Sequence, residues 1–162
     1  MKDFGEIHTD GITSLKISKN GNWLFSGSNN GELKQWDIQY QKLMKNYGVV
    51  HSAAITCMDI SNSYNYLFTG SYDKTIQRII IEKLSISDLT GMGHDDCVSC
   101  LAIDRQDKYL FSGSHDMHLK QWKISAGNFL MRDFGKVHDS FIKCLVITND
   151  NKYVFTASKD SM

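Results

Sequence analysis

A histidine recurs through this chain at His8, His51, His94 and His138, with intervals of 43, 43 and 44 residues. Eighteen residues after each lies a Ser or Thr, inside Leu24-Phe25-Ser26-Gly27-Ser28, Leu67-Phe68-Thr69-Gly70-Ser71, Leu110-Phe111-Ser112-Gly113-Ser114 and Val154-Phe155-Thr156-Ala157-Ser158. Two independent markers in one register define a repeat protein, in which no unit buries its apolar face alone. The repeats centre on 8–48, 51–90, 94–135 and 138–162, the last of them truncated. A residue present once per repeat builds the repeat, so residues that break the pattern are the better functional candidates.

Each repeat holds four short strand-like runs. In the first they are Ile12 to Ser18, Trp23 to Ser28, Leu33 to Ile38 and Leu43 to Tyr47, punctuated by Asn20-Gly21 and Asn29-Asn30-Gly31. Runs rich in β-branched and aromatic residues between Asn/Gly turns predict antiparallel strands joined by tight hairpins. Asn and Gly both tolerate the positive φ such hairpins need. No segment carries a sustained helical period, and no proline interrupts a strand. The chain is all-β.

Four strands in about 43 residues, with Lys34-Gln35-Trp36-Asp37 and Lys120-Gln121-Trp122-Lys123 closing the third strands and Gly93-His94 before an innermost one, resemble the WD-repeat β-propeller family. The resemblance covers nearly the whole chain. It implies a tetrad per blade: the histidine, the Ser or Thr of the second strand, the Asp of the following turn and the Trp of the third strand. Repeat three carries all four in His94, Ser112, Asp116 and Trp122. Repeat one has His8, Ser26 and Trp36, with Asn30 at the acidic position. Repeat two has His51, Thr69 and Asp73, with Ile79 in place of Trp. Repeat four has His138, Thr156 and Asp160 before the chain stops. Such a network satisfies buried polar groups that would each cost about 1–3 kcal/mol if unpaired. On this basis Asn30→Asp, which restores the family residue, is expected to be neutral or stabilising.

Met1-Lys2-Asp3-Phe4-Gly5 nearly repeats Met131-Arg132-Asp133-Phe134-Gly135. The expected architecture is therefore three complete four-stranded blades, an outer strand at the N-terminus and an incomplete fourth blade. Propellers close with four to eight blades. The chain is expected to need further blades, from its parent chain or from another chain.

Lys plus Arg and Asp plus Glu are 18 each, so bulk charge points to neither nucleic acid nor a membrane surface. There is no apolar leader, and Ile79-Ile80-Ile81 is far too short to span a bilayer. Cys57, Cys100 and Cys144 share one repeat position, Ser14 in repeat one, and read as small residues of an inner strand. Cys97 and Cys100 form a Cys-x-x-Cys pair, but zinc takes four ligands, and odd spacing within a strand puts the two on opposite faces. Free thiols suit a soluble cytoplasmic protein, with nuclear or cytoskeletal association left open. His115-Asp116-Met117-His118 reads as a solvated turn rather than a metal site. The Ser-His-Asp trio occurs in several repeats, which marks it as scaffold. No turn has the form of a phosphate loop. No cofactor is expected.

What remains is the rim beside the tetrads. It offers Asp10, Ser52, Asp95, Asp96 and Asp139 from the loops before the innermost strands, and Asn29, Tyr72, His115 and Lys159 from the turns after the second strands. Tyr72 is an aromatic at a turn tip where its sisters are Asn, His and Lys. The resemblance implies a non-enzymatic scaffold that binds proteins or peptides within a complex. A substrate receptor of a ubiquitin ligase is the alternative, but the Trp-Asp-x-Arg that many such receptors carry is absent: Gln39 follows Trp36-Asp37-Ile38, and Lys123 follows Trp122.

Overall fold

The structure, a computed structural model, describes residues 4, 8–83, 85–87, 93–124 and 130–160. Three sheets are four-stranded antiparallel meanders. Blade one runs β1 (Ile12–Ile17), β2 (Trp23–Ser28), β3 (Glu32–Asp37) and β4 (Lys42–Val49). Blade two runs β5 (Ile55–Ile60), β6 (Tyr66–Ser71), β7 (Ile76–Ile80) and β8 (Ser85–Ser87), and blade three β9 (Val98–Ile103), β10 (Tyr109–Ser114), β11 (His118–Lys123) and β12 (Leu130–Lys136). Blade four is the pair β13 (Ile142–Ile147) and β14 (Val154–Ser158). The inner strands β1, β5, β9 and β13 neighbour one another in chain order, which makes the molecule an open arc of a propeller. The outer strand expected over Met1 to Gly5 lies outside the described residues except for Phe4, whose ring meets Trp36 edge-on at 5.8 Å.

The first hairpin of each blade is not the two-residue turn expected from Asn20-Gly21. Ser18 N–H reaches Trp23 C=O at 2.9 Å, so four residues form the loop, and only the third of them is left-handed. That position is Gly21 (φ 73°) in blade one, and Tyr64, Asp107 and Asn151 (φ 59°, 56° and 59°) in the others. A polar side chain closes each loop: Ser18 Oγ, Ser61 Oγ, Asp104 Oδ1 and Thr148 Oγ1 accept from Trp23, Tyr66, Tyr109 and Tyr153 N–H at 2.9–3.1 Å.

The core lies between blades. Phe25 and Leu33 of blade one pack with Ile55, Met58, Ile60, Leu67 and Ile79 of blade two. Phe68 and Ile76 repeat this against Val98, Leu101, Leu110 and Trp122, and Phe111 and Leu119 against Ile142 and Leu145. Full burial of one such side chain contributes about 1.5–3 kcal/mol. Close approach requires the glycine in the second strand of blades one, two and three, Gly27, Gly70 and Gly113. A β-carbon on Gly70 would lie 2.7 Å from both Cys57 Sγ and Val98 Cγ1.

Each inner strand carries a β-bulge, at Thr13, Thr56, Ser99 and Lys143. The bulge re-aims that side chain. Thr13 Oγ1 thereby comes within 3.2 Å of Gly27 C=O and 2.7 Å of Ile55 C=O in the next blade, and Ser99 Oγ within 3.1 Å of Gly113 C=O and 2.5 Å of Ile142 C=O. Thr56 makes the equivalent pair with Gly70 and Val98 carbonyls.

Candidate functional site

In blade three His94 Nε2 lies 2.7 Å from Ser112 Oγ and Nδ1 lies 2.8 Å from Asp116 Oδ2, while Trp122 Nε1–H donates to Ser112 Oγ at 2.8 Å. Blade four brings together His138, Thr156 (2.9 Å) and Asp160 (3.0 Å). Blade two joins His51 to Thr69 (2.8 Å) and Asp73 (2.9 Å), and fully buried Ile79 fills the place of the indole. In blades two, three and four the same carboxylate oxygen, Oδ2, also accepts a backbone N–H, from Ser52, Asp95 and Asp139 at 2.8–3.0 Å.

Blade one departs from the expected set. His8 Nε2 meets Ser26 Oγ at 2.7 Å and Trp36 Nε1–H donates to the same oxygen at 2.8 Å, but His8 Nδ1 turns to Glu32 Oε2 at 2.9 Å. Asn30 takes a different role: its Oδ1 accepts from Ser28 O–H at 2.5 Å and its Nδ2 donates to Thr9 Oγ1 at 3.1 Å. The carboxylate thus comes from the first residue of β3, where blades two and three have Thr75 and His118. Burial works to raise the Glu32 pKa, and hydrogen bonds from His8, Lys34 and Asn46 outweigh it, leaving the carboxyl below its ordinary range.

The protons in these networks run one way. Burial holds the His51 pKa below its usual value against the pull of Asp73, so the ring is neutral at pH 7. Asp73 is held low by Thr75 and His51 hydrogen bonds that overcome its burial. An ionised Asp73 only accepts, so Nδ1–H donates to it, and Nε2 accepts from Thr69 O–H. With indole N–H donating to the serine in blades one and three, the order is Trp to Ser to His to carboxylate. Ser26, Thr69 and Ser112 have no exposed surface, so no substrate reaches these hydroxyls.

The rim candidates divide. Turn tips are tied to the loops before the inner strands by Asn29, Tyr72, His115 and Lys159 N–H groups donating to Gly11, Ala54, Cys97 and Phe141 carbonyls at 2.8–3.2 Å. This brings three rings from three blades into a row. Tyr72 meets His115 edge-on at 6.1 Å, and His115 stacks on Phe141 at 4.5 Å with 17° between planes. Burial lowers the His115 pKa, and the Lys143 charge lowers it further against Asp96, so His115 joins the row as a neutral ring. Phe141 was missed by the sequence reading, although it stands where the sister repeats have Gly11, Ala54 and Cys97. The acidic residues engage separately: Asp96 Oδ1 accepts from Cys97 N–H at 2.7 Å, and Asp139 pairs with Lys136 at 2.9 Å. Asp10 Oδ1 accepts from Gly11 N–H, and Asn29 Nδ2 donates to Asp10 Oδ2. His118 lies in β11 and faces Asp133 at 3.1 Å rather than sharing a site with His115.

All four cysteines are free thiols. Cys97 precedes β9 and Ser99 is a bulge, so the alternation that separates Cys97 from Cys100 fails and both are buried. Cys57 and Cys100 sit at blade junctions, whereas Cys144 is exposed. Among the described residues no group of three or more His, Cys, Asp or Glu is placed to hold a metal ion.

An arc of β-meanders knit by His–Ser/Thr–carboxylate networks is a class of its own, and the family model for the WD domain, G-beta repeat, matches residues 5–37, 44–77, 86–123 and 131–162. The chain belongs to the WD-repeat family, whose members generally serve as non-enzymatic scaffolds for other proteins. Among solved structures it is similar to the RRP9 WD40 repeats (25% identity, TM-score 0.76) and to U3-55K (25%, 0.75), in each case over 86% of this chain and 43% of the other. It therefore spans less than half the length of those two relatives. It is also similar to the computationally designed Ika4 protein at 27% identity and TM-score 0.81, over 97% of this chain and 91% of that one. A comparison with curated proteins gives no match.

Proposed function

We propose that the chain is a non-enzymatic interaction scaffold, a blade set of a larger propeller, that binds a partner protein on its tetrad-side rim. The observation that carries this reading is the row Tyr72–His115–Phe141. It crosses three blades on rigid backbone, breaks the repeat pattern at each member, and leaves Tyr72 57% exposed. Aromatic anchors on a rigid base dominate protein interfaces, with polar residues forming the rim around them. Asp95, Asp96, Asp139 and Lys159 supply such a rim. Nothing favours the ubiquitin-ligase alternative, since Gln39 and Lys123 stand where an arginine would support it.

The test is selection of a displayed peptide library on the full chain, followed by titration of the selected peptides against Tyr72→Ala, Phe141→Ala and a control, Tyr40→Ala on an exposed turn between β3 and β4. Loss of a hot-spot anchor of about 2 kcal/mol weakens binding roughly 30-fold. We expect losses of that order at Tyr72 and Phe141 and none at Tyr40. Peptides indifferent to both rim variants refute the reading.

A further inference from the structure

We propose that the groove between blades two and three, on the rim opposite the tetrads, is a second docking site. Its occupant is an acidic peptide segment of a partner protein, which seats one leucine or phenylalanine in the groove between flanking carboxylates. This goes beyond the scaffold reading above, which concerns the tetrad-side rim. The groove lies where two consecutive blades meet inside the arc. It measures about 390 Å³ and is lined by Tyr66 of blade two and by Asp107, Lys108, Tyr109, Lys123 and Ile124 of blade three. Ile124 belongs to the buried core between these blades, and Tyr66 packs on the same core. Ile124 N–H donates to Lys108 C=O at 2.9 Å, which ties the end of the third strand to the first hairpin loop. The groove therefore stands on fixed backbone.

The junction between blades one and two shows how the repeat otherwise uses this space. The corresponding residues there are Trp23, Tyr64, Asn65, Tyr66, Ile80 and Ile81. Trp23, Tyr64 and Ile81 pack on the core, and the space beside Asn65 and Ile80 is about 240 Å³. Between blades two and three, Tyr66 replaces the larger indole and Asp107 replaces Tyr64, at nearly the same left-handed φ (56° and 59°). Asp107 reaches back to the blade-two loop. Its Oδ1 accepts from Asn62 N–H at 2.7 Å and Nδ2–H at 2.8 Å, and its Oδ2 from Ser63 N–H at 2.8 Å. The place of a ring is left open. The charge changes with the shape. Lys108 and Lys123 stand where Asn65 and Ile80 do; both are exposed, and neither has an ion-pair partner among the described residues. The carboxylates at this corner are engaged with backbone: Asp107 as above, and Asp104 Oδ1 with Lys108 and Tyr109 N–H at 2.7 and 2.9 Å. Arg78, at the place of Gln35 and Gln121, sets a third cation 5.2 Å from the Tyr66 ring centroid. An aromatic-walled groove flanked by cations takes an apolar anchor with acidic neighbours and rejects a basic segment.

The test is selection of a displayed peptide library on the full chain, followed by titration of the selected peptides against variants of the groove. One family of selected peptides is expected to carry a Leu or Phe flanked by Asp or Glu. Lys108→Glu with Lys123→Glu is expected to weaken that family roughly tenfold or more. Lys42→Glu with Lys152→Glu makes the same change in net charge on exposed side chains elsewhere and is expected to leave it unchanged. Replacing the peptide's own Leu or Phe by alanine is expected to weaken it roughly tenfold. Tyr66→Trp, the residue of blade one, narrows the groove and is expected to weaken binding too. Binding to the parent is expected to fall as ionic strength rises from about 0.05 to about 0.5 M. Circular dichroism matching the parent separates a lost site from a lost fold. The two groove lysines are exposed, so the charge-reversal test stands even where Tyr66→Trp fails to fold. A selection without an acidic family, or acidic peptides indifferent to the groove lysines or equally sensitive to both lysine pairs, overturns the proposal. A chain that self-associates until Lys108→Glu with Lys123→Glu is introduced assigns the groove to a second copy and overturns it equally. Tyr72 and Phe141 lie on the other rim, so each reading fails through its own variants.

Discussion

Glu32→Thr gives blade one the residue that blade two carries at the same place, Thr75, and removes the carboxylate that His8 uses. The His8 side chain is fully buried, and its Nδ1–H donates to Glu32 Oε2 at 2.9 Å. A buried donor left without its acceptor costs about 1–3 kcal/mol, with bonds to charged groups toward the upper end. Lys34 and Asn46 also reach Glu32, at 3.2 and 3.0 Å, but their side chains keep some solvent contact, so the orphaned His8 donor dominates the cost. The expected loss is about 2 kcal/mol, or roughly 4–8 °C in melting temperature for a chain of this size. Asn30→Asp alone sets a second carboxylate beside Glu32 when His8 has one Nδ1–H to give. It is therefore expected to be neutral or to destabilise by up to about 1 kcal/mol, the reverse of what the family pattern suggests. Asn30→Asp with Glu32→Thr rebuilds the Asp73–Thr75 arrangement and is expected to return to within about 1 kcal/mol of the parent, a coupling of about 2 kcal/mol. Denaturation at one fixed protein concentration measures all four corners of the cycle.

The same cycle has a pH signature. Burial works to raise the Glu32 pKa, but hydrogen bonds from His8, Lys34 and Asn46 hold it below the ordinary carboxylate value of 4.5. A depressed folded pKa means that the stabilisation is full above 4.5 and is lost as pH falls through the lower folded value. The gap between parent and Glu32→Thr should be full at about pH 7 and shrink as the pH falls below 4.5. A Glu32→Thr chain as stable as the parent, strictly additive substitutions, or a gap that widens in acid would refute the assignment of Glu32.

Trp122 is 2% exposed and bonds Ser112, so Trp122→Ala should destabilise by about 3–5 kcal/mol in urea titration, and Trp122→Phe, which keeps the ring and loses the N–H, by about 1 kcal/mol; an Ala variant matching the parent removes Trp122 from the network. Burial lifts the Cys57 thiol well above its ordinary range, Cys97 to about 11 and Cys100 to about 12, so these three should label slowly until the chain is denatured; rapid native labelling or stoichiometric zinc contradicts their burial.

The period of the repeat exposed the strands because each marker recurs in register. The His–Ser/Thr spacing corresponds to contacts at 2.7–2.9 Å in all four blades, and the His–Asp spacing to contacts at 2.8–3.0 Å in blades two to four. Two kinds of feature escaped. Glu32 was hidden because spacing records positions and not reach: a side chain one methylene longer, starting two residues later, arrives at the same imidazole nitrogen. Cys97 and Cys100 were separated on paper by strand alternation, which the bulge at Ser99 cancels. The Tyr72–His115–Phe141 row was illegible for another reason. Its members belong to three repeats, and the period says nothing about which rim side chains of adjacent blades touch. Phe141 did carry a signal, as a large aromatic in a column of Gly11, Ala54 and Cys97.

The proton order in blades one and three, from hydroxyl to imidazole to carboxylate, is also that of a hydrolytic triad. Geometry alone does not separate the two uses; the serine oxygen does. Ser26 and Ser112 are fully buried, and each already accepts an indole N–H at 2.8 Å. A nucleophile needs an approach path, and these fully buried oxygens have none. In blades one and three the indole bond fixes the second strand to the third, and the histidine bonded to the same serine orients the loop before the inner strand, which is where the turn tips and their side chains are held. Function is thereby moved to residues the repeat does not need. Those that break the pattern on the rim are Tyr72, His115 and Phe141. They form the surface proposed above for a partner.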